Sequence, residues 1–145
     1  MYTALLKSHS GLRWLLLFSF ISSIIILFRA SKKGTGFKAV KPYVLITLIL
    51  THVQFILGLV LYFTSPKVIF AATAMKDSVQ RFFLVEHISL MLLAIVLVTI
   101  GYSKWKKAIN QQKAMKKLFN YYLIALILIL VSMPWPFRIA GSAWF

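Results

Sequence analysis

Four long apolar runs, at about residues 12–28, 42–63, 79–102 and 118–133, decide what this chain can become. Each holds about the twenty residues that cross ~30 Å of hydrocarbon at ~1.5 Å per residue. Apolar side chains make up 61% of the sequence and the mean hydropathy is +0.86, values that belong to an integral membrane protein. The expected fold is all-α: a single domain, 1–145, forming an antiparallel four-helix bundle in the lipid bilayer.

The net charge of +15 would point to nucleic acid in a soluble chain. Here the cations crowd into two loops. Arg29, Lys32, Lys33, Lys38 and Lys41 surround the first, and Lys104, Lys106, Lys107, Lys113, Lys116 and Lys117 the second, eleven against six elsewhere (Lys7, Arg13, Lys67, Lys76, Arg81 and Arg138). Membrane topology explains this without a nucleic-acid partner: the positive-inside rule places both basic loops in the cytoplasm and both termini outside.

A signal peptide competes for the first run, but no small-x-small cleavage site follows it and the heavier positive charge lies after it. It is expected to be a retained helix, with Met1 to Lys7 an amphipathic lead at the interface and Ser8 or Ser10 capping the helix start. Pro42 is expected to open the second helix, and Pro134 and Pro136 to terminate the fourth. Val68 to Phe70 reads as a membrane-surface segment. Trp135, Phe137, Trp144 and Phe145 read as an interfacial aromatic belt that could roof a site on the outer side.

Within the spans, Thr47, Thr51, Gln54 and Gly58 recur at helical spacing and make a small, polar stripe suited to close helix approach. Ser19, Ser22 and Ser23 make a similar face on the first span. Phe83, His87, Met91 and Ala94 share a face of the third, with Glu86 about 100° away. All three faces are expected to turn inward.

An ionisable residue at such depth costs at least ~2.5–3.5 kcal/mol, so each needs a partner, a ligand or a proton to carry. Glu86 is expected to be the functional acid of the outer half and a proton carrier, with three ways to remove its burial cost: protonation, an imidazolium partner, or hydrogen bonds from Arg13, Gln54 or a tyrosine. The chain has no Cys and only two acids, so disulfides, thiolate metal sites and iron–sulfur clusters are excluded. A haem iron would be held by imidazoles, and His9, His52 and His87 fall on three different helices. Counted from Pro42 and Ser103, His52 lies ~15 Å and His87 ~24 Å deep, with His9 near the far surface. Depth alone leaves both the His52–His87 and the His9–His87 pairs open. Arg13, one turn after His9, could neutralise a haem propionate in the second arrangement. Walker A, dinucleotide-binding, zincin and nucleophile-elbow motifs are all missing from the sequence.

Taken together, Ser8-His9-Ser10-Gly11-Leu12-Arg13-Trp14, Thr51-His52-Val53-Gln54, Met75-Lys76-Asp77, Arg81-Phe82, Val85-Glu86-His87 and Met133-Pro134-Trp135-Pro136-Phe137-Arg138 resemble a family of small four-helix bacterial membrane proteins loosely labelled cytochrome b. The resemblance covers nearly the whole chain. It implies a cytochrome b561-like architecture in the bacterial inner membrane, and haem b held by two of His9, His52 and His87. It further implies a redox or quinone-reactive subunit or anchor of a respiratory-type complex, with other membrane subunits or a homo-oligomer as partners. The b561 type holds two haems with four histidines, whereas three histidines allow at most one bis-histidyl haem. The competing expectation is a non-redox accessory or scaffolding subunit whose histidines and Glu86 form interhelical hydrogen bonds.

Overall fold

The computed structural model describes residues 1–34 and 36–139, and among these every regular element is helical. Four helices are long and apolar enough to cross a membrane: α1 (Tyr2–Lys33), α2 (Phe37–Thr64), α3 (Ser78–Lys106) and α4 (Gln111–Ser132). A short 3-10 turn, Ala72–Lys76, leads into α3. The chain is therefore all-α and compatible with a multi-pass membrane protein. Trp144 and Phe145 of the expected aromatic belt lie outside the described residues.

Local chemistry sets most helix ends. Asp77 caps α3 by accepting from the Gln80 amide at 2.8 Å, and Asn110 caps α4 by accepting from the Lys113 amide at 3.0 Å. Gly34 closes α1 at φ 70°, a left-handed conformation that glycine adopts without cost, and its N–H reaches the Ala30 carbonyl at 3.0 Å. Two ends differ from the sequence expectation. α1 starts at Tyr2 and runs unbroken through Ser8 and Ser10, neither of which caps it; the expected lead is its first turns, anchored where the Tyr2 hydroxyl meets Ser65 Oγ at 3.2 Å. α2 starts at Phe37, with Pro42 inside the helix. Packing holds the turn before the proline, since Phe37 stacks on Trp105 at 4.4 Å and Val40 is fully buried.

The helices form an antiparallel ring in which α1–α2 and α3–α4 pack most extensively and the α2–α3 seam is the loosest. Close approach of α3 to α4 depends on Gly101, where a Cβ would lie 2.7 Å from Cβ of Tyr121. The half of the bundle next to the basic loops is solid. Phe20, Leu27, Val44, Val98, Trp105, Leu118 and Tyr122 fill it. Two of its polar pairs bridge helices, Ser23 with Thr47 at 2.8 Å and the Tyr122 hydroxyl with the Val44 carbonyl at 2.8 Å, while the buried Trp105 Nε1 has no hydrogen-bond partner among the described residues. Such pairing replaces the water that a membrane interior lacks. Of the expected serine face, Ser19 and Ser23 are buried, while Ser22 turns away and donates to the Phe18 carbonyl. Phe18, Ile21, Ile49, Ile56, Phe63, Leu93, Val96 and Ile127 are exposed around the bundle, an apolar surface suited to lipid.

Candidate functional site

The other half of the bundle is hollow. A cavity of about 220 Å³ lies there, lined from all four helices and the segments that follow α2 and α4. From α1 come His9, Ser10 and Arg13, and from α2 Thr51, Gln54, Gly58 and Tyr62. α3 contributes Phe83, His87 and Met91, and Lys67, Met133 and Pro134 complete the wall. The polar stripe of α2 thus faces inward, as do Phe83, His87, Met91 and Ala94 of α3.

His9 is seated by α2. Its imidazole rests against Gly58, where a Cβ would meet Cε1 at 3.0 Å, and Gln54 Nε2 donates to the His9 carbonyl at 2.8 Å. Arg13 follows one turn later on the same face, its guanidinium 5.5 Å from the Trp14 ring centroid. Among the described residues, His9 Nδ1 and Gln54 Oε1 are buried without a hydrogen-bond partner. Buried polar atoms of this kind normally bond to protein or to ordered water, so both are available to a ligand or to water in the cavity.

His87 is seated by a break in helix register. Phe82–Glu86 form a π turn, in which the His87 amide bonds to the Phe82 carbonyl five residues back. Single π turns inside α-helices occur frequently at functional sites. The extra residue brings both Phe82 and Phe83 against the His87 ring, at centroid distances of 5.8 and 6.4 Å. Tyr62 ties α2 to the turn by donating to the Leu84 carbonyl at 2.9 Å. His87 Nδ1 lies 2.7 Å from the Ser132 carbonyl at the end of α4.

The same turn decides where Glu86 goes. Its Oε1 accepts from Arg81 Nε at 3.0 Å across five residues, and both side chains are about two-fifths exposed, 42% for Arg81 and 39% for Glu86. The carboxylate is outside the cavity lining, and its partner is Arg81, not Arg13, Gln54, a tyrosine or an imidazole. Arg81 also reaches the Met75 carbonyl at 3.4 Å, joining the α2–α3 connection to the turn.

His52 lies apart from the other two histidines. Its Nδ1 is 2.8 Å from the Leu48 carbonyl one turn back, and its Nε2 is 3.4 Å from Thr99 Oγ1 on α3. It borders a shallow groove with Ile95, Val96, Thr99 and Ile100 and is not among the residues that line the cavity, although Ile95 borders both. Of the two arrangements left open by depth, the structure brings His9 and His87 to one cavity and leaves His52 out. Among the described residues, no group of three His, Asp or Glu side chains gathers to hold a bare metal ion. Sequence reading missed the His9–Gly58 contact, the inward placing of Lys67 and Tyr62, and the role of Ser132. Only the last had a sequence signal, in the prolines that follow α4.

No family model matches the chain, and neither a curated protein nor a solved structure is significantly similar to it.

Proposed function

We propose that this chain is a b-type haem-binding membrane protein in which His9 and His87 would hold the haem iron, and that it serves as a redox or quinone-reactive subunit of a membrane complex. One observation carries the reading: two imidazoles from different helices, each long and apolar enough to cross a membrane, line a single cavity together with an arginine. The donor set fits such a group. His87 is oriented through its Nδ1 by a backbone carbonyl, the outer contact that metal-bound histidines typically make. His9 has a buried ring nitrogen for which the protein supplies no partner. Arg13 can pair with a propionate through its fork of N–H donors.

When bound, haem b supplies reversible one-electron chemistry. The chain's part is to hold and shield. Phe82, Phe83 and Met91 keep water from the His87 side, Gly58 leaves room for His9, and Gln54 fixes the α1 backbone beside it. His52 has no part in binding. In this reading the basic loops face the cytoplasm of a bacterium, both termini lie outside its inner membrane, and the cavity belongs to the outer half. A quinone and other membrane subunits, or further copies of the chain, are the partners it implies.

Protein purified in detergent from haem-replete cells should show a low-spin b-type spectrum and a positive pyridine haemochrome assay, with one haem per chain. A colourless preparation that added haemin leaves unchanged contradicts the proposal. A second reading, a non-redox accessory or scaffolding subunit, draws support from the bonding of His52 and His87 to backbone carbonyls, because a histidine can brace helices in this way without any ligand. The colourless outcome favours that reading.

A further inference from the structure

The end of α4 is finished in an unusual manner. A helix leaves its last four carbonyls without amide partners, and here each is taken by a side chain. Ser132 Oγ donates to Ile129 at 3.1 Å, Trp135 Nε1 to Leu130 at 3.0 Å, the Arg138 guanidinium to Val131, and His87, from a different helix, closes on Ser132 at 2.7 Å. The two prolines explain why Ser132 is open to an outsider. Pro134 disfavours the α conformation at Met133, which is extended at φ −70°, ψ 134°. Pro136, four residues after Ser132, has no N–H to offer even if the helix continued.

A carbonyl can only accept. The bond therefore requires the proton on Nδ1 of His87, and in the neutral ring Nε2 then carries the lone pair. We propose that the segment Met133 to Arg138 is a positioning device for His87: Pro134 and Pro136 keep the Ser132 carbonyl free, and that carbonyl selects the Nδ1–H tautomer and aims Nε2 for coordination. Trp135 and Arg138 hold the segment in place, the indole 6.5 Å from Trp14 of α1 and the guanidinium 5.5 Å from the Phe82 ring. The use of Nε2 rests on the haem reading above; the tautomer and its cause do not.

The test is ¹⁵N NMR of full-length protein labelled at histidine and purified without added haem, with the His87 signals assigned by their loss in His87→Gln. The expected ring has a protonated Nδ1 and an unprotonated Nε2. In the double variant Pro134→Ala/Pro136→Ala, α4 can continue and an amide can claim Ser132, so the His87 signals should shift to a tautomer mixture or to Nε2–H. Ile127→Ala, at an exposed position of α4 outside the segment, should leave the tautomer unchanged. An Nε2–H ring in the wild type, or an unaltered tautomer in a folded double variant, overturns the device. Should the double variant fail to fold, the wild-type spectrum is the test: Nδ1–H supports the device and Nε2–H overturns it. A colourless protein with an Nδ1–H ring would end the haem reading and leave this one standing, and a haem protein with an Nε2–H ring before haem is added would do the reverse.

Discussion

Gly58 of α2 stands so close to His9 of α1 that a Cβ on it would lie 3.0 Å from the imidazole Cε1. A methyl group there must push the ring or part the helices. Overpacking of this kind costs ~1–3 kcal/mol, so Gly58→Ala should weaken haem binding about ten- to a hundredfold, at ~1.4 kcal/mol per factor of ten. Titration of haem-free protein with haemin measures this. Unchanged affinity would show that His9 is not held for coordination.

Gly101 is a matching position with no link to the cavity. Its Cβ would fall 2.7 Å from Cβ of Tyr121, and an atom next to the α4 backbone cannot swing away as a side-chain tip can. Gly101→Ala is expected to destabilise the α3–α4 pair by ~1–3 kcal/mol. Thermal unfolding in detergent should show a lower Tm, with haem per folded chain as in wild type.

Glu86→Gln removes one partner of an ion pair whose members are 42% and 39% exposed. Pairs that wet contribute ~0–1 kcal/mol. Since the carboxylate is outside the cavity lining, the variant should keep its haem, lose less than ~1 kcal/mol of stability, and retain the wild-type pH dependence of the redox midpoint. A changed pH dependence, measured by redox titration across a pH series, would instead support the proton-carrying role that the sequence suggests for Glu86.

The orientation is open to chemical labelling because the chain has no cysteine of its own. Ile109→Cys lies at a fully exposed position between the second group of lysines, and Ala71→Cys at an exposed position in the α2–α3 connection. With the basic loops inside, an impermeant maleimide should reach Ala71→Cys in intact cells and Ile109→Cys only after permeabilisation. The opposite pattern reverses the topology.

Four helices and most inward faces were legible because hydrophobic length and helical periodicity are local properties. The stripe Thr47, Thr51, Gln54 and Gly58 could be read from spacing alone, and it lines the bundle interior. Helix starts were less legible: at Tyr2 and Phe37 the deciding contacts, Tyr2 with Ser65 and Phe37 with Trp105, come from residues far along the chain. The π turn has no sequence signature, yet it sets the register of His87 and turns Glu86 toward Arg81. Choosing between His9 and His52 required knowing which ring lines the cavity, a matter of helix packing that axial depth does not determine.

The most direct measurement of the central claim is the reduced-minus-oxidised absorption spectrum, with pyridine haemochrome quantitation, of wild type beside His9→Ala, His52→Ala and His87→Ala purified alike. His9 and His87 as the axial pair predict a low-spin b-type spectrum in wild type and in His52→Ala, and its loss or conversion to a high-spin form in the other two. A spectrum that survives in His9→Ala or His87→Ala, or disappears in His52→Ala, would contradict the assignment of the cavity as the haem site.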